Sequence, residues 1–143
     1  MEDREPIVPK TEEERVANID KAALLIIREL DESMRADDTL NLVHDGVLSD
    51  LAFEKIKPGR VMMLEYLVGY NATNACTYIR VGYWNGHAFN WLNTQPAPLV
   101  QETVGIGRKI HLREGMYPVI RFEGGANGDD IHAAINGYWI KTR

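Results

Sequence analysis

Arg60-Val61-Met62-Met63-Leu64-Glu65-Tyr66-Leu67-Val68-Gly69-Tyr70 is the stretch that decides the fold. It is bounded by Pro58-Gly59 on one side and by the polar Asn71–Asn74 on the other, both turn signals. Period-two alternation puts Val61, Met63, Glu65 and Leu67 on one face and Met62, Leu64, Tyr66 and Val68 on the other. Both faces are largely apolar, so the stretch reads as a strand covered on both sides and central in its sheet. Glu65 is the exception; if buried it needs a partner such as Arg80 or Arg121, or its pKa rises.

The same period continues on either side. Leu40 and Leu42, then Val47–Phe53, flank the tight-turn dipeptide Asp45-Gly46. Downstream, Thr77–Trp84 alternates, with Ile79, Val81 and Tyr83 opposed to Tyr78, Arg80 and Trp84. Asn85-Gly86 closes a hairpin to Ala88–Leu92. Asn93–Pro98 reads as a loop, Leu99–Val104 as a weak strand, and Gly105-Ile106-Gly107 as a bend before Lys109–Leu112. Met116–Phe122 is a strand whose Pro118 points to an edge position or a bulge. Glu123–Asp130 is a loop, and Ile131, Ala133, Ile135, Gly137 and Trp139 mark the final strand. About eight strands at this spacing predict a mainly β chain, an antiparallel β-sandwich or jelly roll over residues 39–143.

Residues 1–38 differ. They hold 12 acidic and 6 basic residues, a net of −6, whereas the remaining 105 hold 9 and 10 and balance the chain at −5. Thr11 with Glu14 is a capping box. Val16, Ile19, Ala23, Ile26, Ile27, Leu30 and Met34 recur at steps of three and four, so one N-terminal amphipathic helix is predicted. Its apolar stripe packs either on the chain's own sheet or on a neighbouring subunit.

Bulk properties exclude several classes. A length of 143 residues with 45% hydrophobic content suits one core. The longest apolar run, Ala22–Ile27, is too short to span a membrane. The acidic start Met1-Glu2-Asp3 is unlike a signal peptide, so synthesis in the cytosol is expected. One cysteine, Cys76, excludes an internal disulfide. No basic cluster exists, so nucleic acid is not an expected partner.

Each candidate for chemistry has a plainer reading beside it. Gly105-x-Gly107 lacks the third glycine of a dinucleotide fingerprint. Glu123–Asp130 offers oxygens that calcium uses, yet matches no EF-hand, and its Gly, Asn and Asp are what a turn needs. His44, Cys76, His87, His111 and His132 are scattered without metal-ligand spacing. Asn71-Ala72-Thr73 fits a glycosylation acceptor but reads as a turn. No catalytic residue, metal or cofactor is therefore expected. Tyr83, Trp84, His87, Phe89 and Trp91 crowd one hairpin, as core payload, as an interface anchor, or as a stacking platform for sugar with Asn85, Asn90 and Asn93 beside it.

Three further features carry a resemblance: Lys57-Pro58-Gly59-Arg60-Val61, the Asn-rich turn Asn71–Asn74, and Leu112-Arg113-Glu114-Gly115 leading through Tyr117–Phe122 and Gly124–Asp130 into Gly137-Tyr138-Trp139. With them the C-terminal two-thirds resembles the small β-sandwich accessory proteins of tailed-bacteriophage virions. The resemblance implies a capsid-decoration, collar or tail-adaptor role, with several copies per particle, and supplies no catalytic residues. The expected partners are then the chain itself and other virion proteins, through Ile19, Ile26, Leu30, Trp84, Phe89 and Trp91. A carbohydrate-binding module is the alternative.

Overall fold

The computed structural model describes residues 35–142, which belong to the second of two units into which the chain divides, Arg35–Arg143. The expected N-terminal helix, with Ile19, Ile26 and Leu30, falls on residues outside those described.

Nine strands are described: Asp38–Val43 (β1), Leu48–Ala52 (β2), Arg60–Asn71 (β3), Tyr78–Trp84 (β4), Phe89–Pro96 (β5), Val104–Ile106 (β6), Ile110–Leu112 (β7), Tyr117–Glu123 (β8) and Asp130–Lys141 (β9). They form two antiparallel sheets. One runs β1-β9-β3-β6, with β7 also on β3; the other runs β2-β8-β4-β5. β6 and β7 pair with different halves of β3, at Leu67–Gly69 and Met62–Leu64, and so act as one interrupted strand. The ladder pairs then nest: β1 with β9, β2 with β8, β3 with β6 and β7, β4 with β5. A long hairpin rolled across two sheets has this connectivity, which is that of a jelly roll.

β3 is central, between β9 and the β6/β7 edge, as its apolar faces predict. Its alternation, however, breaks at Glu65. The register with β9 jumps from Leu64↔Gly137 to Tyr66↔Asn136, a β-bulge that leaves Glu65 unpaired on the ladder. Met62 and Leu64 face the core before the bulge; Leu67, Gly69 and Asn71 do so after it, while Tyr66 is exposed. The core itself is the space between the sheets, filled by Leu51, Leu64, Leu67, Ile79, Val81, Ile120, Phe122 and Ile131. Each such side chain contributes about 1.5–3 kcal/mol by leaving water.

Several expectations are corrected. The described residues hold nine strands where about eight are expected, the ninth arising because β6 and β7 divide one interrupted strand. The tight turn at Asp45-Gly46 carries the chain from one sheet into the other, because β1 pairs with β9 and β2 with β8. Asn93–Gln95 continues β5, whereas Leu99–Thr103 is not a strand. Pro118 sits in an interior strand, β8, between β2 and β4. Its carbonyl accepts from the Phe53 N–H at 3.0 Å, and N and O of one strand residue point the same way. The missing donor thus faces the segment just past the end of β2 and leaves the β4 ladder whole.

Candidate functional site

Two groups of side chains stand out, and the loop end of the sandwich holds the first. There the turn after β1, the turn after β3 and the loop before β9 share one buried polar network. Asn71 Nδ2 donates to Asp129 Oδ2 at 3.0 Å and to Cys76 Sγ at 3.3 Å. Asn71 Oδ1 accepts from the Thr73 and Asn74 N–H groups at 2.9 and 3.0 Å. The Asn74 amide and the Ala126 N–H complete the shell of Asp129, at 2.6 and 2.8 Å. Burial alone would raise the Asp129 pKa, but these N–H donors, with His44 nearby, outweigh it and hold the carboxyl below its ordinary value.

His44 is buried in the same end. Its Nε2 meets the Gly124 carbonyl oxygen, which can only accept, so Nε2 carries the proton. Nδ1 is hydrogen-bonded to the Ser49 hydroxyl at 2.8 Å, and the hydroxyl oxygen accepts from the Asp45 N–H. A serine–histidine pair is present, and both residues are buried, His44 to 1% and Ser49 to 9% exposure. Burial pushes the Cys76 thiol pKa up; Asp129 raises it further and the Asn71 amide opposes. His132 lies elsewhere, on the outer face of the first sheet, stacked on Tyr70 with ring centroids 4.9 Å apart. His87 and His111 are exposed in other places. The scattered histidines and Cys76 therefore do not share a cleft.

The Glu123–Asp130 loop spends Asp129 inward on amide donors, and among the described residues no three His, Cys, Asp or Glu side chains gather for a metal. Asn71 is fully buried at the head of its turn, which fits the turn reading of Asn71-Ala72-Thr73.

The second group covers the outer face of the β2-β8-β4-β5 sheet. Alternation sends Tyr83 toward the core and Trp84 out of it. β5 brings Phe89 opposite Trp84, and a second bulge, between Val81 and Gly82, sets Trp91 over Gly82. Gly82 is required there: a Cβ would collide with the Asn90 carbonyl oxygen and meet the Trp91 Cα at 2.9 Å. The rings pack on one another. Phe89 and Trp91 are stacked at 5.2 Å, Trp84 stands edge-on to Phe89 at 5.0 Å, and Tyr117 of β8 stacks on Trp84 at 6.4 Å. Arg121 completes the layer, its Cζ 4.7 Å from the Phe89 centroid and 5.0 Å from that of Trp91. The hydrogen bond from Arg121 to Asp50 raises the guanidinium pKa, against the opposing effect of burial.

Val119 shows what this layer does. The register places it across from Gly82, on the same face as Arg121, and it is fully buried although it belongs to no part of the inter-sheet core. Sequence reading found Trp84, Phe89 and Trp91, which the structure brings together. It missed Tyr117 and Arg121, which arrive from β8. Of the three asparagines nearby, Asn85 accepts from the His87 and Ala88 N–H groups and Asn93 donates to the Gly105 carbonyl. The Asn90 amide nitrogen is buried without a partner.

No protein-family model matches the chain, and no curated protein matches it. Among solved structures it is similar to the Drosophila NLP core, a pentamer-forming, histone-binding protein (10% identity, 73% of this chain and 98% of that one, TM-score 0.37). It is also similar to a Bacillus endospore appendage protein from a family of disulfide-linked pili (10%, 78% and 92%, TM-score 0.39). A third is a chain of infectious bursal disease virus, Gx strain (11%, 73% and 31%, TM-score 0.34). Likenesses this loose assign neither a family nor an activity to the chain.

Proposed function

We propose that this chain is a non-enzymatic structural protein that associates with copies of itself and with other protein subunits. The observation that carries the reading is the aromatic layer with its arginine. Trp84, Phe89, Trp91, Tyr117 and Arg121 occupy a sheet face that no other described element covers. Tryptophan, tyrosine and arginine are the residues on which protein interfaces concentrate their binding energy. The stacked rings also present a pre-ordered surface, so little side-chain entropy is lost when a partner docks. The burial of the His44–Ser49 pair supports the non-enzymatic part. Exposed Leu42, Val43, Val47 and Leu48 along the corner from β1 to β2 supply further apolar surface. Placement in a virion, as a decoration, collar or adaptor subunit, rests on the sequence resemblance alone.

The test is light scattering of the purified full-length chain over a wide concentration range, with Trp84→Ala and Trp91→Ala beside it. Assembly that weakens with either substitution is expected. A chain that stays monomeric at every concentration, and that binds no phage structural protein when mixed with a disassembled virion, overturns the reading.

A further inference from the structure

We infer that the outer face of the other sheet carries a binding groove for a neutral oligosaccharide, an inference independent of the assembly reading. The groove encloses about 730 Å³, within the range of small-molecule sites. It crosses β1, β9 and β3 where the register aligns Asn41 with His132 and Tyr70, and Thr39 with Ala134 and Val68. The turn at Gln101 and Thr103 forms its far rim.

Three observations give the ligand its chemistry. First, among the described residues no Asp, Glu, Lys or Arg lines the groove, so an ionic ligand would lose its hydration without meeting a counter-charge there. Second, the side chains of Thr39, Asn41, Tyr70, Gln101 and Thr103 form no hydrogen bond among the described residues, although Asn71, Asn74, Asn85 and Asn93 all spend theirs within the chain. Uncommitted hydroxyls and amides therefore converge on one place, as donors and acceptors together. Third, the lining is preset. Tyr70 and His132 are stacked nearly parallel, at 14°, and His132 Nε2 is 3.1 Å from Asp130. Gln101 is held in the left-handed region, φ +63°, by its N–H bond to the Asn71 carbonyl at 2.8 Å. Non-glycine residues adopt that region at a cost.

Between these polar groups the floor is Val68 and Ala134, small and apolar. A pyranose offers the matching surface: hydroxyls around its rim and C–H bonds on its faces. The sugar-binding expectation thus moves from the Trp84–Trp91 hairpin, whose asparagines are committed or buried, to the opposite sheet.

The experiment is amide chemical-shift mapping of the full chain with cellohexaose, xylohexaose, maltohexaose and laminarihexaose, each added to millimolar concentration. At least one hexaose should shift residues 39–41, 101–103 and 132–134 in a saturable way. Asn41→Ala and Gln101→Ala, both at exposed positions that leave the fold intact, should each weaken that binding by about three- to tenfold. Trp91→Ala should not. No shift with any of the four sugars overturns the inference. So do shifts confined to the Trp84–Trp91 hairpin, and so does binding that survives both groove substitutions unchanged.

Discussion

Arg121 holds Asp50 through two parallel hydrogen bonds, Nε to Oδ1 at 2.8 Å and Nη2 to Oδ2 at 2.9 Å. The two residues face each other across β8 and β2. The carboxylate orients the guanidinium, and the guanidinium in turn stands against Phe89 and Trp91. Directly across from Arg121, on β4, is Arg80, a like charge whose buried Nε has no hydrogen-bond partner among the described residues. Asp50 therefore also offsets a repulsion that a strand pair would otherwise carry.

Asp50→Ala should destabilise the chain by about 1–3 kcal/mol, the cost of removing the acceptor of a charge-assisted pair. Arg121→Lys should cost a similar amount, because an ammonium cannot make the two-pronged contact or lie flat on the rings. Urea unfolding followed by tryptophan fluorescence checks both, and the native emission should change with them. Wild-type stability in Arg121→Lys would show that the pair is merely a surface contact.

Gly82→Ala should be more damaging than its size suggests. The added methyl meets the backbone of β5 at Asn90, which cannot move without losing the bulge that positions Trp91. Overpacking of this kind costs about 1–3 kcal/mol or more. Thermal melts report the loss, and near-ultraviolet circular dichroism should show the aromatic layer loosened. Gly86→Ala is the control for space: a Cβ there meets nothing within 4 Å, though its φ of +101° still carries strain.

Cys76 should react slowly with a disulfide reagent while the chain is folded. Its thiol is buried, and burial shifts it away from the thiolate that reacts. Rates at pH 8 should rise by more than about tenfold on unfolding in urea. Asn71→Ala, which removes the amide that opposes the shift and opens the network, separates the two contributions: a faster rate there assigns the protection to packing.

What could be read from the chain beforehand follows from where one face of a strand is buried. Ile131, Ala133, Ile135 and Gly137 alternate cleanly because β9 lies between two neighbours and packs one side on the core. The bulge at Glu65 adds one residue and leaves no mark in composition, so the facing of Leu67 was inverted. Asn93, Thr94 and Gln95 look like a loop because β5 is an edge strand, where polar side chains cost little. Trp84, Phe89 and Trp91 were legible together because one hairpin carries them. Tyr117 and Arg121 were not, and neither was the groove, whose lining comes from four separate segments. Residue spacing does not encode which strands become neighbours.

The buried network at Asp129 makes the last prediction a matter of pH. A carboxyl whose folded pKa is depressed binds fewer protons in the native state than in the unfolded one. Its contribution is therefore complete above the unfolded value, about 3.9, and is lost as pH falls through the folded value. Asp37 and Asp45 are depressed in the same direction, chiefly by hydrogen bonds from Arg35 and from the Val47 N–H. The wild-type chain should then lose stability steeply below about pH 4. Asp129→Asn removes one of the three contributions and also turns an amide toward the donors of Asn71, Asn74 and Ala126. At pH 7 it should be less stable by about 1–3 kcal/mol, the cost of stranding buried donors. Its urea midpoint should fall less than that of the wild type between pH 5 and pH 3, so that the two curves converge in acid. Parallel curves would mean that Asp129 keeps its charge from the network only as a bystander, and that the acid sensitivity belongs to the exposed aspartates.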